Sequence, residues 1–183
     1  MVITGGSRGL GLALANEFVS LGDQVVIAAR DEAACAAAVR QLQQHHPQSQ
    51  VHQTTCDVTQ PDQMQHLAAF AKEKLGQVDI WVNNAGSSQI PKAPLADTAS
   101  GQIQQIVGTN MLGTLLGSQA AIQTMRTQAS GDASSAAYCS CTQGMASDSA
   151  HAKCDVHRLQ VNLGSISFYP PFPAMKDDQH CSI

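Results

Sequence analysis

Apolar and polar positions follow a regular pattern along the first 131 residues. Short apolar runs predict strands over residues 1–4, 25–29, 51–56 and 78–82. The longer segments between them carry apolar residues at helical spacing and predict helices over residues 9–21, 32–44, 61–75 and 99–125. Gly22 and Gly76 follow two of these helices and Pro61 begins one, as is typical of helix ends. The last helix is expected to break near Gly108 or Gly113.

This alternation predicts an α/β fold with a doubly wound parallel sheet and right-handed crossovers. The pattern stops after Gly131. Residues 132–150 show no clear period, so the strand expected after the long helix is missing, and only residues 161–168 resemble a later strand. We therefore expect one domain over residues 1–131 and a divergent, poorly structured segment over residues 132–183. The sheet would then be incomplete at its C-terminal side.

Composition narrows the class of protein. The chain has 183 residues, of which 43% are hydrophobic, enough for one folded core. Its formal net charge is −4, so no basic surplus supports nucleic-acid binding. No apolar run of about 18 residues predicts a transmembrane segment, and no secretory signal is recognised. Four of the six cysteines crowd the end of the chain. The spacing of Cys139, Cys141, His151 and Cys154 matches no standard zinc pattern, so no metal site is expected.

A glycine-rich turn separates the first strand from the first helix. Gly5 would allow a tight turn, Gly9 a close approach of the backbone to a pyrophosphate, and Gly11 close packing of helix and sheet. The helix N-terminus adds free N–H groups and a positive dipole end. This context predicts a dinucleotide-binding turn made of Thr4, Gly5, Gly6, Ser7, Arg8, Gly9, Leu10 and Gly11.

Arg30 follows the second strand, where an acidic residue would bind a ribose 2′-hydroxyl and an arginine accommodates a 2′-phosphate. Arg8 supplies a second guanidinium, so the sequence favours NADP(H) as the cofactor. In the alternative, Arg30 is a solvated loop residue and Asp31 contacts the ribose. Asp31 also has the position of the N-cap of the next helix.

Four motifs in this order resemble the short-chain dehydrogenase/reductase family: TGGSRGLG at residues 4–11, Asp57-Val58, NNAG at residues 83–86, and Asn110. The resemblance covers residues 1–131 and implies a Rossmann-like fold. It also implies that Asp57 and the Val58 backbone bind the adenine, and that the turn with Asn83, Ala85 and Gly86 lies against the adenine ribose. In the family, the residue at Asn84 ties the central strands together, and Asn110 bends its helix and holds a water of the proton relay.

Three longer segments are similar to the chlorophyll(ide) b reductases of plants and green algae: VITGGSRGLGLALANEF, DIWVNNAG and QIVGTNMLGTLLGSQAAIQTMRTQASG. The similarity implies NADPH-dependent reduction of a 7-formyl group to a hydroxymethyl group, on chlorophyll b or chlorophyllide b, in the chloroplast. No transit peptide is recognised in this chain. The long helix often forms a dimer interface in related proteins, so Met111, Leu112, Leu115 and Leu116 either serve a homo-oligomer or pack in the core.

The catalytic part of the family pattern is not intact. The family uses a tyrosine acid, a lysine four residues later, and a serine on the preceding strand. Residues 136–145 resemble the family segment AAYGATK, which makes Tyr138 the candidate acid and puts Thr142 in place of the lysine. Alternatively, Lys153 is the family lysine and Ser149 stands in the tyrosine position.

Neither alignment restores Tyr-x-x-x-Lys, and without a nearby cation a tyrosine keeps its ordinary pKa of about 10. We expect an impaired reductase or, as the alternative, a catalytically inactive nucleotide-binding or interaction protein. The abrupt change after Gly131, and a first strand with no residues to spare, predict a truncated, misspliced or frameshifted product.

Overall fold

A computed structural model describes residues 1–88 and 94–128 in full, and the backbone of three strands between residues 137 and 166. The first four strands are β1 (Val2–Thr4), β2 (Val25–Ala29), β3 (Val51–Thr55) and β4 (Ile80–Asn83). The helices are α1 (Gly9–Ser20), α2 (Glu32–His45), α3 (Pro61–Leu75), α4 (Ser100–Val107) and α5 (Gly113–Arg126). A short 3₁₀ turn, Leu95–Asp97, precedes α4. Each element expected in residues 1–128 is present, with boundaries that differ by up to two residues.

The four strands form a parallel sheet in the order β3-β2-β1-β4. Ile3 of β1 is in register with Ile27 on one side and with Val82 on the other. This arrangement confirms the predicted doubly wound, Rossmann-like fold class.

Both faces of the sheet are covered, which explains why its strands are continuous apolar runs. Val25 and Ile27 point to the face on which α1 and α2 pack. Val26 and Ala28 point to the opposite face, against α3 and α5. Trp81 of β4 is the largest fully buried side chain and packs on the α3 and α5 side.

The long helix predicted over residues 99–125 is interrupted where the sequence indicated. A π-helical turn, Gly108–Leu112, joins α4 to α5 and contains Asn110. Such turns inside α-helices often mark functional sites.

The prediction that no strand follows the long helix is wrong. Strand β5 (Ala137–Ser140) lies parallel to β4, with Tyr138 opposite Trp81 and Ser140 opposite Asn83. Two antiparallel strands follow, β6 (His157–Asn162) and β7 (Ser165–Ile166). Hydrophobicity did not reveal β5, because the free edge of β4 offers backbone N–H and C=O groups with which a segment can pair whatever its side chains. The rest of residues 129–183 lies outside the described residues, and the domain boundary at residue 131 stays a prediction.

Within the part of the chain that the structure describes, no helix combines the length and the apolar character needed to cross a membrane.

Candidate functional site

The carboxyl ends of the parallel strands meet at one edge of the sheet. Thr4, at the end of β1, is in register with Ala28 of β2 and Asn83 of β4. The strand order reverses between β1 and β4, and ligands of open α/β sheets bind at such a point. The glycine turn after β1 and the NNAG turn after β4 therefore lie side by side there.

The glycines of the first turn are required by its geometry. Gly5 and Gly9 have φ values of 67° and 55°, in the left-handed region that favours glycine. A Cβ on Gly5 would lie 2.8 Å from Cα of Ala85. A Cβ on Gly11 would lie 2.3 Å from the Gly5 carbonyl oxygen and 2.4 Å from Nδ2 of Asn84. These contacts agree with a tight turn at Gly5 and close helix packing at Gly11.

The N-terminus of α1 leaves backbone donors free. The first hydrogen bond at this end of the helix runs from Leu12 N–H to the Arg8 carbonyl oxygen, at 3.3 Å. The N–H groups of Gly9, Leu10 and Gly11 precede it and have no acceptor among the described residues. Unpaired N–H groups and the positive helix end together suit a phosphate.

Thr4 and Asn84 join the two turns. The Asn84 Nδ2 group donates to the carbonyl oxygens of Thr4 (3.0 Å) and Gly5 (3.1 Å). The N–H groups of Asn84 and Ala85 each donate to Oγ1 of Thr4, at 3.1 Å. The role expected for Asn84 is confirmed. Thr4 is one of the predicted cofactor-binding residues, and its buried hydroxyl holds the NNAG turn through these bonds.

The Asn83 side chain is directed to α5. It accepts a hydrogen bond from Trp81 Nε1 at 3.1 Å and donates to the Thr114 carbonyl oxygen at 3.4 Å. Gly117 provides the space, since a Cβ there would lie within 2.0 Å of Asn83 Oδ1. Because this side chain is buried in the packing of β4 on α5, Asn83 reaches the turn through its backbone.

Two arginines stand unpaired near the glycine turn. Arg8 and Arg30 are exposed, and neither guanidinium group has an ion-pair or hydrogen-bond partner among the described residues. Oδ1 of Asp31 accepts the Ala34 N–H at 3.1 Å, so Asp31 caps α2 as its position predicts. Both guanidinium groups remain available for an anion.

The loop after β3 contains Asp57 and Val58. Oδ1 of Asp57 accepts both the N–H and the hydroxyl of Thr59, while the Asp57 N–H donates to Oε1 of Gln63 at 2.8 Å. The Val58 side chain is buried, and a Cβ on Gly113 would lie 2.5 Å from its Cγ2. The loop is thus fixed from α3 and from the start of α5.

Asn110 lies in the π-helical turn and pairs with the residue after NNAG. Its Oδ1 accepts the Ser87 N–H at 2.8 Å, and its Nδ2 donates to the Ser87 carbonyl oxygen at 3.0 Å. Gln105 Nε2 donates to Ser87 Oγ at 3.2 Å. The side chain of Asn110 therefore connects the bent helix to the NNAG turn.

Four polar residues of this edge were not identified from the sequence: Thr59, Gln63, Ser87 and Gln105. The pattern Asp-x-Thr could have indicated the turn at Thr59, because aspartate commonly accepts hydrogen bonds from the residue two positions later. The partners of Gln63, Ser87 and Gln105 depend on how the helices pack, which no local pattern gives.

The catalytic candidates are less defined. Tyr138 lies in β5, two residues before the strand ends. Ser140, a further residue not identified from the sequence, ends β5 in register with Asn83. The side chains of these strands lie outside the described residues, as do Ser149, Lys153 and the Cys139–Cys154 cluster.

The described cysteines are poor nucleophiles. Cys35 and Cys56 are buried thiols. Burial, and then the nearby Asp57 and Asp62 carboxylates, raise the pKa of Cys56 to about 11. Burial also raises the pKa of Cys35. Among the described residues no group of three or more His, Cys, Asp or Glu side chains could hold a metal ion.

One face of the kinked helix carries exposed apolar residues. Ile103, Val107, Met111 and Leu115 follow one another at intervals of four and are between 38% and 65% exposed. Leu112 is also exposed, whereas Leu116 packs against the core. Core packing therefore accounts for Leu116 alone among the four apolar residues singled out in the sequence.

Comparison with known proteins gives matches for most of the chain. The model of the short chain dehydrogenase family matches residues 1–150. Chlorophyll(ide) b reductase NOL, chloroplastic, is 37% identical in Oryza sativa and 38% in Arabidopsis thaliana, each over 131 residues and 72% of this chain. The chain spans 38% and 37% of the length of these relatives.

A solved structure shares the fold. It is an NADPH-bound short chain oxidoreductase from Pseudomonas aeruginosa PAO1 with an atypical catalytic center, 28% identical, with a TM-score of 0.64. The match covers 70% of this chain and 49% of that chain.

Proposed function

The chain belongs to the short-chain dehydrogenase family of oxidoreductases, and from this premise we propose that it is an NADPH-dependent carbonyl reductase of the chlorophyll(ide) b reductase type. One observation carries the proposal: at the edge of the sheet the glycine turn packs against Ala85, beside the N-terminus of α1, where three backbone N–H groups are free. The relatives of that name support the substrate class, which we take to be chlorophyll b or chlorophyllide b.

The residues at this edge fit a nicotinamide dinucleotide. The turn at residues 5–11 would hold the pyrophosphate, and Asp57 with Val58 would hold the adenine. The backbone of residues 83–86 would lie along the adenosine ribose. When bound, NADPH supplies a hydride for the carbonyl carbon, and the oxygen must receive a proton from the protein or from water. Asn110, fixed on Ser87, would order the polar groups near that oxygen.

The preference for NADP(H) over NAD(H) rests on Arg8 and Arg30. Both guanidinium groups are unpaired, and the strand-end position at Ala29 carries no acid. A ribose 2′-phosphate would complement the two arginines. Asp31, the alternative ribose contact, already caps α2 with its Oδ1.

We further propose that reduction by this chain is slow. The sequence contains no Tyr-x-x-x-Lys, and Tyr138 would have to donate the proton without a lysine to favour its deprotonation. Ser140, at the carboxyl end of β5, is the candidate for orienting the carbonyl. The absence of the Tyr–Lys pair also supports a second candidate function, a catalytically inactive protein that binds the nucleotide.

Two assays distinguish these functions. NADPH is titrated against the purified chain by nicotinamide fluorescence, and chlorophyllide b reduction is then followed by absorbance with wild-type protein and Tyr138→Phe. Binding with slow turnover that Tyr138→Phe abolishes supports the reductase with Tyr138 as the acid. Binding without turnover supports the inactive nucleotide-binding protein. No binding would refute both.

We also propose that the chain forms a homo-oligomer through the exposed face of Ile103, Val107, Met111 and Leu115. Sedimentation of the wild-type protein and of Met111→Lys tests this proposal. If the wild-type protein sedimented as a monomer and Met111→Lys did not change its sedimentation, the homo-oligomer would be refuted.

We further propose that the chain acts in the chloroplast, as the names of its relatives indicate.

A further inference from the structure

The loop after β3 contains a hydrogen-bond arrangement centred on Thr59. The N–H and the Oγ1 hydroxyl of Thr59 donate to the same atom, Oδ1 of Asp57, at 3.0 and 2.8 Å. Nε2 of Gln60 donates to Thr59 Oγ1 at 3.2 Å. A hydroxyl has a single proton, so the bond received from Gln60 agrees with the Thr59 proton pointing at Asp57. Thr59 thereby fixes the rotation of the Asp57 carboxylate.

This arrangement leaves two neighbouring groups open. Oδ2 of Asp57 and the N–H of Val58 have no partner among the residues that the structure describes. The backbone that carries them is held by Gln63 Oε1, which accepts the Asp57 N–H at 2.8 Å. An acceptor beside a donor complements one edge of adenine, which presents its 6-amino group as donor and N1 as acceptor.

Hypoxanthine differs from adenine at this edge. It carries a carbonyl oxygen at C6 and a hydrogen on N1, so it presents an acceptor to the carboxylate and a donor to the Val58 N–H. A carboxylate held in one rotation would disfavour hypoxanthine, whereas a freely rotating one could turn away from its carbonyl oxygen.

We propose that Thr59 is a specificity-determining positioning residue: by holding Asp57 in place, it makes the site select an adenine cofactor over its hypoxanthine analogue. This inference rests on the proposed function, in which Asp57 and Val58 bind the adenine. Thr59 acts through Asp57, without contact to the base.

The experiment measures Kd for NADPH and for deamino-NADPH, the analogue with hypoxanthine, on the full chain. Thr59→Val keeps the shape of the side chain and removes its hydroxyl. We expect Thr59→Val to raise the Kd for NADPH about fivefold, which corresponds to the ordinary net contribution of one hydrogen bond, and that for deamino-NADPH less than about twofold. Thr59→Ser keeps the hydroxyl and is expected to retain wild-type selectivity. Thr55→Val, at the exposed end of β3, is the matched control and should change neither Kd.

Circular dichroism establishes that each variant is folded, and Thr59→Ala serves if Thr59→Val is not. A wild-type chain that does not bind NADPH would overturn the proposed function and this inference with it. Suppose that the wild-type chain binds NADPH. If Thr59→Val then left the selectivity unchanged, or if Thr59→Ser failed to preserve it, the inference alone would be overturned. Equal weakening of both cofactors in Thr59→Val would also overturn it, because a merely structural role acts on both.

Discussion

Replacing Gly11 by alanine tests the geometry of the glycine turn. The new Cβ would lie 2.3 Å from the Gly5 carbonyl oxygen and 2.4 Å from Asn84 Nδ2, roughly 1 Å inside ordinary contact. Neither neighbour can yield easily, since one is backbone and the other bonds both Thr4 and Gly5. Overpacking of this kind costs about 1–3 kcal/mol of stability.

The larger effect of Gly11→Ala is expected on cofactor binding. Relieving the overlap moves the start of α1 away from the turn, and the free N–H groups of Gly9 and Leu10 move with it. Loss of one or two hydrogen bonds to a charged phosphate corresponds to about 3 kcal/mol, or about a 100-fold higher Kd for NADPH. Fluorescence titration measures the Kd, and urea unfolding measures the stability.

Gly101→Ala provides the matched control. Gly101 is also helical, but a Cβ there would meet no atom within 4 Å. Alanine is the better helix former, so the free energy of unfolding should stay the same or rise by up to about 1 kcal/mol, with the Kd unchanged. If folded Gly11→Ala bound NADPH as tightly as Gly101→Ala, the role assigned to the close contact at Gly11 would be refuted.

Three further predictions follow from charge and burial. Arg30→Ala should raise the Kd for NADPH about tenfold, because one hydrogen bond to the charged 2′-phosphate is lost, and should leave the Kd for NADH unchanged. Fluorescence titration measures both Kd values, and an equal rise for the two cofactors would contradict this prediction. Burial raises the pKa of Cys56 to about 11 and also raises the pKa of Cys35. Neither thiol should therefore be alkylated by iodoacetamide in the folded chain at about pH 8. Mass spectrometry of the peptides measures the labelling, and alkylation of either cysteine would contradict this prediction. Burial, and then the charge of Lys74, lower the pKa of His52 below 6.5 in the folded chain. As the pH falls, His52 is therefore protonated in the unfolded state before it is protonated in the folded state, so the free energy of unfolding decreases between pH 6.5 and the folded pKa. His52→Gln should reduce that loss in urea titrations at about pH 7.5 and about 5.5, and an undiminished loss would count against the assignment.

The regular part of the fold could be predicted from the sequence because local signals there agree with packing. Helix α3 begins at Pro61 and ends at Leu75 as expected, since proline suits a first helical turn and Gly76 takes up a φ of 71° after the last. The break in the long helix near Gly108 was also predicted. Leu21, by contrast, fits the apolar spacing of α1 yet is 70% exposed, because the helix ends one residue earlier.

The limits of sequence reasoning are clearest at β5. Ala137–Ser140 contains no Val, Ile or Leu, the residues typical of a buried parallel strand, and its pairing depends on β4 being present beside it. The site shows the same division. The glycine turn was predicted in detail because glycine has specific conformational properties, and the link from Asn84 to Thr4 followed from the family pattern. The hydrogen bonds that the Thr4 hydroxyl accepts from the NNAG turn could not be predicted, because that turn lies 80 residues away in the chain.

The chain's single tryptophan permits the most direct test of the central claim, that residues 1–131 form an NADP(H) site. Trp81 is fully buried in β4 and lies two residues before Asn83, the first residue of the NNAG turn. Titration with NADPH should quench Trp81 emission saturably, by energy transfer to the reduced nicotinamide. The Kd should be at least about tenfold lower than for NADH, and Gly11→Ala should abolish the effect at matched concentrations. The absence of saturable quenching by either cofactor in the folded wild-type chain would contradict the account.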